Sequence, residues 1–275
     1  MLDFRRNVAS QAAERSLTSW EKISWCLTIG LTAAVLARLW LNGLIRAYRL
    51  LFLYLSADFL SSVGGLAIGY NTKYYPYFYF SAQTVKVVLA AAVLVEIYSL
   101  ALESHPALAR FGRSAVGYIL GIAGAAPLIA LWVDRSTSAG GTRPFLRAFF
   151  LFEQTIDATM AIFLIVISIF LTWFPVRLRH NVAVYIGGFI VWSLSRSAYI
   201  FVFKQWFRDE RMRQVSNTVQ MCVGFLCLLF WLIGLEREGE ANTTVVGHLW
   251  NRAEAERLTG QLDAINRSLE RLRRK

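Results

Sequence analysis

Six ionisable residues stand where the sequence is otherwise apolar: Asp58, Lys86, Glu96, Glu153, Asp157 and Arg196. If the surrounding blocks cross a bilayer, each such charge costs about 2.5–3.5 kcal/mol even on the lenient insertion scale. Charges are kept at that depth for pairing, for handling protons or ions, or for binding a polar ligand. Glu153 and Asp157 are four residues apart, so on a helix they share a face and repel. Two carboxylates on one face require cations, a proton or an ion, and Lys86 and Arg196 are the basic residues available. Gln83 lies one turn before Lys86. Arg213, Asn217 and Gln220 recur at i, i+4 and i+7, a polar stripe at helical spacing.

The elements that must position these residues are long apolar segments. Of the 275 residues, 56% are hydrophobic and 17% are charged, against about a quarter charged in ordinary soluble domains. A spanning helix needs about 20 mostly apolar residues. Seven segments qualify, near 23–43, 50–70, 78–102, 114–133, 147–174, 181–203 and 215–235. Lipid forces the backbone to satisfy its own hydrogen bonds, which makes helices the expected form. The runs are solid rather than alternating, which excludes a β-barrel. The expected fold class is therefore all-α, a polytopic seven-helix membrane bundle over 23–235. A polar segment, 1–22, precedes it and lacks the apolar core of a signal peptide. A linker, 236–247, and a C-terminal amphipathic or coiled-coil helix, 248–275, follow.

Orientation is read from basic residues in short connections, which favour the cytoplasmic side. Arg38, Arg46 and Arg49 lie between spans one and two, Arg110 and Arg113 between three and four, and Arg177 and Arg179 between five and six. Eight more basic residues follow Leu235. The opposite side is also basic in places, with Arg135, Arg143, Arg147 and "KQWFRDERMRQ". The balance places the N-terminus outside and the C-terminus in the cytoplasm of a bacterial-type inner membrane.

That orientation sets depths at about 1.5 Å per residue. Lys86 falls about 12 Å below the outer surface, Glu153 about 9 Å, Asp157 about 15 Å and Arg196 about 10 Å. Asp58 falls near mid-depth. The expectation is an outward-facing polar cavity lined by Asp58, Gln83, Lys86, Glu153, Asp157, Arg196, Asn217 and Gln220, taking a small ligand or protons. The plain alternative is a structural salt-bridge knot between spans two, three, five and six. Glu96 stands apart, near the inner end of span three.

Between spans two and three, "GYNTKYYPYFYFSAQ" carries seven rings in the eleven positions from Tyr70 to Phe80. Pro76 suits a first helical turn. Tyr77 to Phe80 then circle that turn about 100° apart and cannot form one flat face. A collar at the headgroup level fits them better than a ligand platform. Small residues at Gly117 and Gly121, and in "SSVGGLAIG", mark close helix packing.

In the C-terminal segment Ala255, Leu258, Leu262, Ile265, Leu269 and Leu272 step by three and four, an a/d seam. It suggests a parallel coiled coil and a homodimer. The alternative is a surface helix on the inner leaflet, with five basic residues between Arg267 and Lys275 facing anionic lipid.

Several functions find no support. His105, His180 and His248 all lie outside the spans, which removes a paired-histidine haem site. Cys26, Cys222 and Cys227 have no metal or disulfide spacing. Catalytic signatures and phosphate loops are missing. No cofactor is expected, and neither enzyme activity nor nucleic-acid binding. In helix count and orientation the arrangement resembles seven-helix receptor and sensor modules, an analogy of architecture. The first expectation is a sensor or signal-relay protein with a cytoplasmic partner. A small ion or proton transporter and an assembly subunit of a membrane complex are the alternatives.

Overall fold

The computed structural model describes residues 19–68, 72, 74–103, 105–137, 143–173, 176–205, 210–241, 243–246 and 252–273. The chain is mostly helical, with eight α-helices among the described residues. They are α1 (Ser19–Leu41), α2 (Arg49–Ile68), α3 (Tyr75–Ala101), α4 (Pro106–Thr137), α5 (Arg143–Trp173), α6 (His180–Gln205), α7 (Glu210–Gly234) and α8 (Arg252–Arg273). Two short strands, β1 (Val176–Arg179) and β2 (Thr243–Val246), pair antiparallel with Val176 opposite Val246.

Among the described residues five stretches are long and apolar enough to cross a membrane: Ile23–Leu41, Arg49–Ile68, Tyr77–Ala101, Phe152–Trp173 and Val215–Gly234. Their large apolar side chains also point outward, among them Leu27, Leu60, Val88, Ile162, Ile169, Leu226 and Ile233. A water-soluble protein would turn such residues inward. Charged residues are few along these faces, and the chain is an integral membrane protein.

Residues up to Lys86 form one compact unit and those from Val87 a second. In the first, α1 ends on Gly43, whose φ of 70° is the left-handed conformation that stops a helix. A 3-10 turn, Leu44–Arg46, leads into α2. α2 and the start of α3 form an αα-hairpin. Gly64 makes room there for the Phe78 ring, and Gly65 packs near Trp25 and Tyr75. The aromatic run therefore splits as its spacing requires. Phe78 turns in against Gly64, while Tyr77 and Tyr79 are exposed and Tyr79 stacks on Tyr75 at 6.3 Å. Tyr74 is exposed and Phe80 meets Tyr79 edge-on at 5.9 Å, while Tyr70 lies outside the described residues.

In the second unit the core is built from helical stripes. On α5, Ile156, Met160, Leu164, Ile167 and Leu171 are buried at spacings of three and four. On α6, Val182, Tyr185, Ile186, Phe189 and Ser193 are buried. Trp231 of α7 lies fully buried against Gly188, where an added Cβ would strike the indole.

Two readings are revised here. The stretch 236–247 is more than a linker: it holds a 3-10 turn, Glu238–Glu240, and then strand β2. Short strands with no alternating pattern give no signal in the sequence. α4 begins at Pro106 rather than near 114, and its first free amides are capped from far away in the chain, by Asn266.

Candidate functional site

The buried stripes of α5 and α6 meet as the two arms of an antiparallel hairpin closed through β1. Asp157 and Glu153 continue the α5 stripe one and two turns before Met160. Arg196 continues the α6 stripe beyond Ser193. The three side chains thus sit on the packing faces of their helices. Arg196 Nε donates to Asp157 Oδ2 at 2.8 Å, and its Nη2 donates to Glu153 Oε1. The guanidinium also lies over the Trp192 ring, 5.4 Å from its centroid. Ser197 Oγ donates to the Asp157 carbonyl at 3.2 Å, which ties the two backbones at this level.

A planar guanidinium with several donors suits two acceptors at once, which an ammonium does less well. Asp157 is buried, and Glu153 and Arg196 are largely so. Two carboxylates and a guanidinium thus share one low-dielectric place, where a change in the charge of any of them would act on the α5–α6 contact. Among the described residues no three His, Cys, Asp or Glu side chains come close enough to share a metal ion.

A second pair lies in the first unit. Lys86 Nζ donates to Asp58 Oδ1 at 3.3 Å, and both side chains are partly buried. These two residues are about as far from the α2–α3 turn as each other, so hairpin register alone brings them together. Gln83, one turn before Lys86, is buried. The sequence offered Lys86 to Glu153 and Asp157 as well, but Asp58 is the carboxylate it pairs with.

Glu96 of α3 accepts a hydrogen bond from the fully buried Tyr185 hydroxyl at 3.1 Å. From Tyr185 a train of side chains runs along one face of α6. Tyr185 meets Phe189 at 6.4 Å, Phe189 meets Trp192 at 5.7 Å, and Trp192 carries Arg196. Glu96 and the triad are therefore the two ends of one contiguous row, about 16 Å apart along the helix axis.

The stripe expected on α7 does not turn inward. Asn217 is exposed and its amide reaches Met221 Sδ of its own helix at 3.9 Å, while Gln220 is half-buried. The Arg213 side chain lies outside the described residues. Helical spacing shows which residues share a face but not which face is packed.

Other residues missed in the sequence gather at the other end of α6. Arg179 bridges Glu103 at 2.5 Å and Glu240 at 3.0 Å. Asn181, fully buried, donates to the Glu236 carbonyl at 2.7 Å and to Glu240 Oε1 at 3.1 Å. It accepts from the Glu236 amide at 3.0 Å. Asn266 Oδ1 of α8 accepts from the Ala107 and Leu108 amides at 2.9 and 3.3 Å. Beside it His105 Nε2 faces Asp263 Oδ1 at 3.4 Å, and Leu262 is buried. The ends of α3 and α7, the starts of α4 and α6, and α8 are thus tied at one end of the unit. Asn266 begins an Asn-Arg-Ser sequon, yet its role here is a helix cap.

No family model, curated protein or solved structure matches this chain.

Proposed function

We propose that the protein is a seven-helix inner-membrane sensor or signal-relay protein, N-terminus outside and C-terminus cytoplasmic, whose input site is the Arg196–Glu153–Asp157 triad. In this reading α4 and α6 cross the bilayer with the five strongly apolar helices. The observation that supports it is the buried triad itself. Two carboxylates share one arginine between packed helices, so a proton or a small cation bound there would alter the α5–α6 contact. Occupation would relax the α5–α6 contact. α6 ends in the Arg179 and Asn181 ties, so a shift of α6 reaches the junction where α8 docks. The docked C-terminal helix is then the output, presented to a cytoplasmic partner. Burial of Leu262 within its own chain favours a surface helix, since a homodimer built on the whole 248–275 seam would compete with that contact.

A second reading is a small proton or cation transporter. The row from the triad to Glu96 favours it, because it places a second carboxylate about three turns along the same helix face. Proteoliposomes loaded with a pH- or cation-sensitive dye separate the two. Flux that disappears in Glu153→Gln assigns transport. Absence of flux, together with a thermal midpoint that responds to pH or cation in the wild type only, assigns sensing. A protein that shows neither would be left with the triad as a structural knot.

A further inference from the structure

The C-terminal helix is held where few soluble helices are held. α3 ends its apolar span at Ala101, and the residues that grip α8 follow at once: His105, Ala107 and Leu108. Four to seven residues reach at most about 14–25 Å even when fully extended. On the membrane reading, α8 is therefore held near the membrane–water boundary by Asn266, Asp263 and the buried Leu262.

What α8 shows to its surroundings follows from its own period. At about 100° per residue, the order around the helix is Asn266, Leu262, then Leu258 with Ile265, then Arg257 and Arg271. The Asn266–Leu262 edge is used by the contact with α4. The next strip is apolar and only partly covered: Leu258 is half-buried and Ile265 is 48% exposed. Beyond it lie the exposed Arg257 and Arg271, with Glu254 of the first turn at the edge between. Arg267 is exposed on the far side, beside Asp263 and Glu256. Five of the last nine residues are basic.

We propose that α8 binds the anionic surface of the membrane that the chain spans. The apolar strip of Leu258 and Ile265 would enter the headgroup boundary, and Arg257 and Arg271 would meet lipid phosphates. An apolar strip with arginines beyond one edge fits an interfacial helix, and each basic residue near an anionic leaflet adds to the attraction. The Asn266 cap and Leu262 act as a hinge that keeps the helix at the right height. This inference rests on the membrane reading of α3 and not on the triad, so its outcome is independent of whether the triad senses anything.

The test uses the full chain in nanodiscs of phosphatidylcholine alone and of phosphatidylcholine mixed with phosphatidylglycerol. Amide hydrogen exchange of 252–273 is read in both. Exchange about tenfold or more slower in the anionic discs is expected, with the difference shrinking as salt is raised. The variant Arg257→Gln/Arg271→Gln should lose the difference while matching wild type in phosphatidylcholine, and Arg267→Gln should keep it. Exchange of α5 in the same samples reports whether the variant is folded, and the wild-type lipid and salt comparison decides the matter if it is not. Equal exchange in both lipids overturns the proposal. So does protection that follows the number of chains per disc rather than the lipid, which would assign the strip to a second copy of the chain.

Discussion

Arg179 and Arg196 lie near opposite ends of α6, and each holds two carboxylates. Arg179 joins Glu103 and Glu240 in a setting where the three side chains are 37%, 56% and 26% exposed. Arg196 joins Glu153 and Asp157 with exposures of 16%, 12% and 4%. The groups and the stoichiometry are the same, so the surroundings decide what each cluster does. At the Arg179 end water screens the charges. Such a pair is worth at most about 1 kcal/mol. Specific geometry at that end comes instead from neutral groups, above all the Asn181 amide. At the Arg196 end the charges are largely shielded from solvent, so a change in charge there acts on the packing of α5 and α6. This is why it is the better candidate for an input.

Removing the arginine from each cluster breaks the comparison most plainly. Arg196→Gln takes the guanidinium away from two buried carboxylates and should cost about 3–5 kcal/mol, read as a large fall in thermal midpoint or in folded yield. The triple variant Arg196→Gln/Glu153→Gln/Asp157→Asn should recover most of that loss, because a neutral cluster has no charge to bury. Failure of the rescue would mean that shape, not charge, holds α5 to α6. Asn181→Ala should cost about 1–3 kcal/mol, since it strands the Glu236 amide and carbonyl that the side chain satisfies. Arg179→Gln should cost about 0.2–1 kcal/mol, and less as salt is raised. Equal losses for Arg179→Gln and Arg196→Gln in the same unfolding assay would erase the distinction drawn here.

Much of the helical frame was legible because each long apolar run had room for only one kind of element in lipid. The pairings across hairpins were legible too, in principle. Asp58 and Lys86 stand at similar distances from the α2–α3 turn, and Asp157 and Arg196 from the α5–α6 turn. Adjacent antiparallel helices fix such registers without further information. The junction at the other end of α6 was not legible. Asn266 caps a helix that begins 160 places earlier, and Arg179 joins two acidic residues in separate connections. Nothing local marks either role. The arginine-bearing loop before α6 served as an orientation signal, and the same residues turned out to form strand β1 and the tie to Glu240. The α7 stripe failed for a related reason. Spacing put Asn217 and Gln220 on one side of a helix, but only packing against α6 decides which side faces in.

The central claim is that the triad is a working site whose charge state acts on the fold. Its most direct test is the thermal midpoint of the reconstituted protein across pH and across a monovalent cation series at constant ionic strength, for wild type and for Asp157→Asn. The variant keeps the Arg196–Glu153 pair and removes one ionisable carboxylate. The account predicts a midpoint that shifts with pH or cation in the wild type and stays flat in a folded Asp157→Asn. Identical shifts in the two proteins would contradict it.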